Sequence, residues 1–278
     1  MAKEGGTQLI WVTDPHLNFV SFGRWERWIE SIKRQNSDGL LITGDITEAE
    51  DLTFQLERIV DHLQIPIYFV LGNHDYYRGS IASVRERIDT FCRQSPNAIY
   101  LTHHDPIAFD SGWVLVGHDG WADGLFGNAQ ETTVRLNDFR LIGDYSGLTY
   151  QEVLEMMAML ARQASEELSM KLEAACSLGT KVLIATHVPP FSDACLYNNL
   201  PSDDQWLPFF ASKTIGDCCL AFANRFPSHL FHVVCGHSHH RARARITNNL
   251  TVWTGGAEYR EPAIERVIDL GNLANELL

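Results

Sequence analysis

Gly39-Leu-Leu-Ile-Thr-Gly-Asp45 decides the reading of the fold. A short apolar run of this kind is the mark of a buried strand, and the Gly-Asp pair places an acid at its carboxyl end. Upstream, Leu9-Ile-Trp-Val-Thr13 reads the same way and runs into Asp14-Pro-His16. Downstream, Ile65-Pro-Ile-Tyr-Phe-Val70 ends in Gly72-Asn-His-Asp75. Helical patterns separate and follow these strands. Arg24 to Gln35 carries Trp25, Trp28, Ile29 and Ile32 at helical spacing, a core-facing stripe. Glu48 to Leu63 and Ser80 to Gln94 read as the next two helices. Strand and helix in alternation define an α/β fold.

Farther along the chain the pattern changes. Ala98 to Thr102, Ile107 to Asp110 and Trp113 to Val116 are short strands parted by turn residues, which suggests a meander. A long helix covers Thr149 to Ser177, with Thr149 and Glu152 at capping-box spacing and Gly179 closing it. Strands return at Lys181 to Thr186, Leu230 to Cys235, Leu250 to Thr254 and Ala263 to Asp269. The irregular stretch from Pro189 to Pro227 ends in a helix at Ile215 to Phe226, and a connection that long inside a domain is usually functional. No repeat or linker divides the sequence. The expectation is a single domain over 1–278, with lid or specificity segments near 118–148 and 190–228.

Composition bounds the function. With 45% apolar residues in 278 the chain can build a large core, and 21% charged residues excludes disorder. No apolar run approaches the roughly 20 residues that span a bilayer. Met1 to Gly6 lacks the basic-then-apolar pattern of an export signal, so a cytoplasmic protein is expected. The six cysteines include no Cys-x-x-Cys pair and read as free thiols in a reducing compartment. A net charge of −13 disfavours duplex nucleic acid and anionic membranes as partners.

The chemistry stands at the strand ends, where open α/β sheets place their sites. Asp14 and His16, Asp45, Asn73 and His74, His187, and His237 with His239 follow five separate strands. Each motif alone is an ordinary polar turn or helix entry. Their conjunction is not ordinary, because five ends offer oxygen and imidazole donors to one place. Carboxylate, amide and imidazole without thiolate suit Mn, Fe, Zn or Ni. Asp45 is the central candidate to bridge two such ions.

These blocks, in this order from about residue 8 to about 254, resemble the calcineurin-like metallophosphoesterase superfamily. The resemblance implies a four-layer sandwich of two mixed β-sheets flanked by helices, with two divalent transition-metal ions at the strand ends. Asp14, His16 and His239 would hold one ion, Asn73, His187 and His237 the other, and Asp45 both. A metal-bound hydroxide would attack the phosphorus of a small phosphomonoester or phosphodiester, with His74 beside the phosphoryl group. Within the superfamily the alternative is a cyclic-nucleotide phosphodiesterase or nuclease. The alternative of another class is a catalytically silent metal-binding scaffold.

Two departures from the family pattern matter. A second aspartate commonly stands three residues after the bridging one, whereas here the position is Glu48. Glu48 or Asp75 is therefore the candidate partner of the His74 ring. Glu48 also excludes the tyrosinate iron centre of purple acid phosphatases, which place tyrosine there. For substrate contacts the candidates are Tyr76, Tyr77, His118, Asp119, Trp206 and Arg241, the last opening a row with Arg243 and Arg245 that otherwise reads as one solvated strand face. His240, His103 and His104 read as surface histidines. Two bound divalent ions would bring the net charge to about −9, with positive charge concentrated in the pocket.

Overall fold

Alternation along the strands sorts the apolar residues into three layers. In the computed structural model, which describes residues 6–277, β1 (Gln8–Val12), β2 (Gly39–Thr43), β3 (Ile67–Val70) and β4 (Ala98–Tyr100) run parallel in one sheet. Their helices are α1 (Phe22–Arg34), α2 (Leu52–Leu63) and α3 (Ile81–Gln94). The chain then enters a second sheet through β5 (Ile107–Ala108) and β6 (Trp113–Gly117). A short helix α4 (Asp138–Leu141) precedes the long α5 (Tyr150–Leu178), and β7 (Lys181–Ala185) follows. A two-stranded hairpin, β8 (Leu196–Tyr197) and β9 (Leu200–Pro201), leads to α6 (Leu207–Phe210) and α7 (Lys213–Arg225). Strands β10 (Leu230–Cys235), β11 (Ala242–Arg245) and β12 (Leu250–Thr254) complete the second sheet. Finally β13 (Arg266–Asp269) returns to pair antiparallel with β1, before α8 (Leu273–Leu277).

The sheet orders are β13-β1-β2-β3-β4 and β11-β12-β10-β7-β6-β5. Both are mixed, since β13, β11 and β5 are antiparallel to their neighbours. Leu9, Trp11, Leu41 and Val70 of one sheet meet Trp113, Leu115, Leu183 and Val234 of the other in the layer between them. The intervening residues Ile10, Leu40, Ile42 and Phe69 pack against α1, α2 and α3. On the far side Val114, Val182, Ile184 and Val233 pack against α5 and α7. Period-two alternation in strands buried on both faces thus produces the four-layer sandwich.

Three expectations are corrected. The residues from 98 to 116 are not a meander: β4 extends the first sheet, and a 3-10 turn at Leu101–His103 carries the chain across to the hairpin of β5 and β6 in the second. The second helix starts at Leu52 rather than Glu48, because Ala49 N–H donates to the Tyr77 carbonyl at 3.2 Å and holds the preceding residues in a turn. The β8–β9 hairpin was not anticipated. Its Asn198-Asn199 turn has both residues left-handed, at φ 49° and 63°, the type I′ signature that would have found it. All six cysteines are free. Among the described residues no helix is long and apolar enough to cross a membrane. Residues 1–5, on which the reading of the start of the chain partly rests, lie outside the described residues.

Candidate metal centre

Because β1, β2, β3, β7 and β10 all run parallel within their sheets, their carboxyl ends open on one side of the sandwich. The loops interlock there. Asp14 N–H donates to the Gly44 carbonyl at 3.1 Å, His16 N–H to the Asp45 carbonyl at 3.0 Å, and Gly236 N–H to the His187 carbonyl at 2.9 Å. This lattice holds Asp14, His16, Asp45, His237 and His239 at φ between 40° and 68°, a left-handed backbone that side chains rarely adopt. Such strain of about 1 kcal/mol or more per residue persists where the surroundings over-determine it, typically at functional sites. Close approach is secured by glycine. A Cβ on Gly236 would stand 2.1 Å from Asp14 Oδ2, and one on Gly44 would stand 2.4 Å from His187 Nδ1.

Two groups of donors result, each with its atoms within 4.8 Å of one another. Asp14, His16, Asp45 and His239 form the first, and Asp45, His187 and His237 the second. The rings of His16 and His239 bring their Nε2 atoms to 3.0 Å, and His16 Nε2 lies 3.7 Å from Asp45 Oδ2. In the second group the tautomers can be derived. His187 Nδ1 is 2.8 Å from the Thr43 carbonyl, which only accepts, so Nδ1 carries the proton and Nε2 presents a lone pair. That lone pair faces Asn73 Oδ1 at 3.1 Å and Asp45 Oδ1 at 3.4 Å. By the same logic His237 Nε2–H donates to the Phe209 carbonyl at 2.9 Å, leaving Nδ1 as its lone-pair atom. His187, Asn73 and Asp45 thus converge, and burial together with the Asp14 charge pushes Asp45 well above the ordinary carboxylate range. A donor set of this composition fits a divalent cation on each side of Asp45.

Supporting contacts aim these donors. Asp138 Oδ1 accepts from Asn73 Nδ2 at 3.0 Å and from Tyr77 OH at 2.5 Å, which turns the Asn73 carbonyl oxygen towards His187. Asp45 Oδ1 accepts from His74 N–H at 2.8 Å. The His74 ring stacks on Tyr77 at 4.3 Å and reaches the cleft, with Nε2 at 3.9 Å from Asp45 Oδ2. Burial holds this imidazole down to about 3. Neither carboxylate proposed for it touches the ring. Glu48 is tied to Arg78 Nε at 2.6 Å, and Asp75 accepts from the backbone N–H of Thr47 and Gly72 at 2.9 and 2.8 Å. His74 Nδ1 is buried without a hydrogen-bond partner.

The substrate candidates divide. Tyr77 and Trp206 line a cleft of about 820 Å³ that opens from Asp45, Asn73 and His74, and parts of 118–148 and 190–228 wall it. Tyr76, His118 and Asp119 do not line it. Asp119 is fully enclosed and accepts from Tyr76 OH (2.6 Å), Tyr100 OH (2.5 Å), Thr102 Oγ1 (2.7 Å), Leu71 N–H (2.7 Å) and Arg85 (2.9 Å). Burial alone would raise its pKa, but Arg85 and these donors win and hold it below the usual range. His118 is buried and donates Nε2–H to Glu167 at 2.9 Å, since Nδ1 accepts from Gly120 N–H. Arg241 points to Glu265 at 2.7 Å on the sheet edge. His240 belongs to neither donor group and packs on Tyr197 at 4.8 Å. His103 pairs with Asp89 at the surface at 2.8 Å.

Sequence reasoning missed Asp138 and Tyr259. Tyr259 follows β12, and its ring lies 4.5 Å from His16 and 5.1 Å from His239. The signal was available: β12 is parallel to β10, so its carboxyl end opens on the same side. No such signal marks Asp138, which sits in a polar stretch without a motif.

The family model described as calcineurin-like phosphoesterase matches residues 7–241. Among solved structures, a phosphopantetheinyl hydrolase from Mycobacterium tuberculosis is similar with a TM-score of 0.63 at 15% identity, over 92% of this chain and 91% of that one. A dimetal phosphatase from Danio rerio is similar with a TM-score of 0.56 at 12% identity, over 92% and 89%. At such identities the likeness is one of fold. No curated protein sequence matches this chain significantly.

Proposed function

This chain belongs to the calcineurin-like phosphoesterase family, hydrolases of phosphoester bonds, and from that premise we propose that it hydrolyses a small phosphomonoester or phosphodiester at a dinuclear centre. The observation that carries the reading is the convergence of His187 Nε2, Asn73 Oδ1 and Asp45 Oδ1 beside a second donor group that shares Asp45. Asp14, His16 and His239 would hold one ion and Asn73, His187 and His237 the other, with Asp45 common to both. Two divalent ions drawn from Mn, Fe, Zn and Ni would supply charge neutralisation for the phosphate and a water acidic enough to act near neutral pH. The side chains do the rest. The Thr43 and Phe209 carbonyls keep the protons of His187 and His237 away from the centre. Asp138 orients Asn73. His74, stacked on Tyr77, offers its ring N–H to a phosphoryl or leaving oxygen. Segments 118–148 and 190–228 would set specificity, and the free thiols suit a reducing cytoplasm.

The test is metal analysis and turnover together. About two transition-metal ions per chain and hydrolysis of phenyl phosphate on addition of Mn are expected. A protein that takes up no metal, or takes it up and turns over no phosphoester across the four metals, would refute the reading.

A further inference from the structure

The cleft beyond the candidate metals has an unusual lining for an enzyme of phosphates. It is lined by Trp206, Phe210 and the hairpin residues Leu196, Tyr197 and Leu200, with Phe210 stacked on the His237 ring at 4.6 Å, and by Tyr77 and Tyr259 beside His74 and His16. Trp206 and Leu200 are 45% and 67% exposed, so apolar surface is presented rather than packed away. Among the described residues no Lys or Arg lines it. Of the arginines close by in sequence, Arg78 pairs with Glu48, Arg241 with Glu265 and Arg135 with the Thr132 and Val134 carbonyls. Arg140 donates to the lining residue Asn137 at Oδ1 over 3.0 Å, and Arg260 adjoins Tyr259 without itself lining the cleft. The basic side chains in the cleft are imidazoles, those of the centre and His240. Three carboxylates do line it, Asp45 of the centre, Asp138 and Asp203.

A ligand anion would be compensated next to the ions and nowhere else. A second phosphate or carboxylate farther out would leave water for a wall of indole, phenyl and leucine side chains and find no cationic partner. An uncharged chain or ring would instead bury apolar area there. The volume suits an organic group of substantial size, within the range of small-molecule sites. From this lining we infer that the substrate carries its negative charge on the scissile phosphate alone. Its other end is an uncharged, partly apolar organic group lying against Trp206, Phe210 and the β8–β9 hairpin. This rests on the phosphoesterase reading and narrows it, setting aside nucleoside polyphosphates, bisphosphates and carboxylate-bearing phosphates.

The test uses the full chain loaded with Mn at pH 8, where an ordinary imidazole is uncharged. Phenylphosphonate and 4-carboxyphenylphosphonate differ only by the distal carboxylate, and their binding is measured by calorimetry. Phenylphosphonate should bind about tenfold tighter or more. Equal affinity, tighter binding of the carboxylate, or no binding of either would overturn the inference. Trp206→Arg and, on the exposed hairpin, Leu200→Lys each supply a cation and should narrow or reverse the ratio. An unmoved ratio in both folded variants would also overturn it, since the distal group would then lie elsewhere. Hydrolysis of phenyl phosphate is followed in parallel. Absent turnover with the binding ratio intact would sink the catalytic reading while sustaining the specificity of the cleft.

Discussion

Gly72→Ala offers a sharp test of the bridging role of Asp45. Gly72 follows β3 and has no left-handed φ, so alanine is compatible with its backbone and the effect is one of space alone. The added Cβ would stand 2.2 Å from Asp45 Oδ1 and 2.6 Å from both Asp45 N and His187 Nε2. Non-bonded heavy atoms settle at roughly 3.5 Å, so the carboxylate and the imidazole must each retreat by about 1 Å. Asp45 Oδ1 also accepts the His74 N–H at 2.8 Å, and that hydrogen bond would be stretched or lost. Displacement of this size at a catalytic centre costs on the order of a hundredfold in rate. Overpacking adds about 1–3 kcal/mol of destabilisation, a fall of a few degrees in Tm. The assay is metal content after dialysis, kcat with phenyl phosphate, and Tm. Both ions should be depleted together, because the displaced oxygen belongs to the shared ligand. Gly23→Ala is the control. It lies in α1 with only the end of the Arg27 side chain near, at 3.7 Å, so it should keep metals and rate and raise stability by up to roughly 0.5 kcal/mol. A Gly72→Ala protein with two ions and unchanged kcat would refute the steric argument and the position of Asp45 between the ions.

Three further outcomes are expected. His74→Ala should retain the metals and lose about a hundredfold in kcat, and loss of metal at an unchanged rate would reverse its assignment. Asp138→Ala frees the Asn73 amide to rotate and should weaken one ion by about 10–100-fold in a chelator competition, leaving the other in place. Unaltered affinity for both would show that Asn73 needs no orienting partner. Arg85→Met leaves Asp119 enclosed without its cation and should cost about 3 kcal/mol at pH 7 in chemical denaturation. Because the folded-state pKa of Asp119 is lowered, its contribution is present above the ordinary carboxylate pKa and fades as the pH falls through the folded value. The gap between wild type and variant should therefore shrink in acid. A gap that widens would contradict the pairing.

Much of the centre was legible because strand ends are a local property. An apolar run followed by Asp-x-His, Gly-Asp or Gly-x-His places its donors at the carboxyl end of a strand whatever the strand pairs with. What failed was non-local. Tyr76 stands beside a motif residue in sequence and Asp119 just beyond a strand, yet both lie sealed beneath the cleft, where Asp119 gathers Tyr76, Tyr100, Thr102 and Arg85. Glu48 was a reasonable partner for His74 by position, but Arg78 claims it. Tyr259 and Asp138 reach the site from segments that carry no motif.

The amino-acid sequence by itself determined the α/β class, the strand-end donors and their order, because periodicity and turn chemistry act within a few residues of the chain. Only the tertiary structure decided which sheet β4 and β5 join, which ring nitrogens face the centre, and that among the described residues the cleft beyond it carries no lysine or arginine. The reason is distance along the chain. Asp14 accepts from the backbone N–H of His237 at 3.0 Å across 223 residues, and such encounters exist only once two sheets have stacked and their loops have locked together.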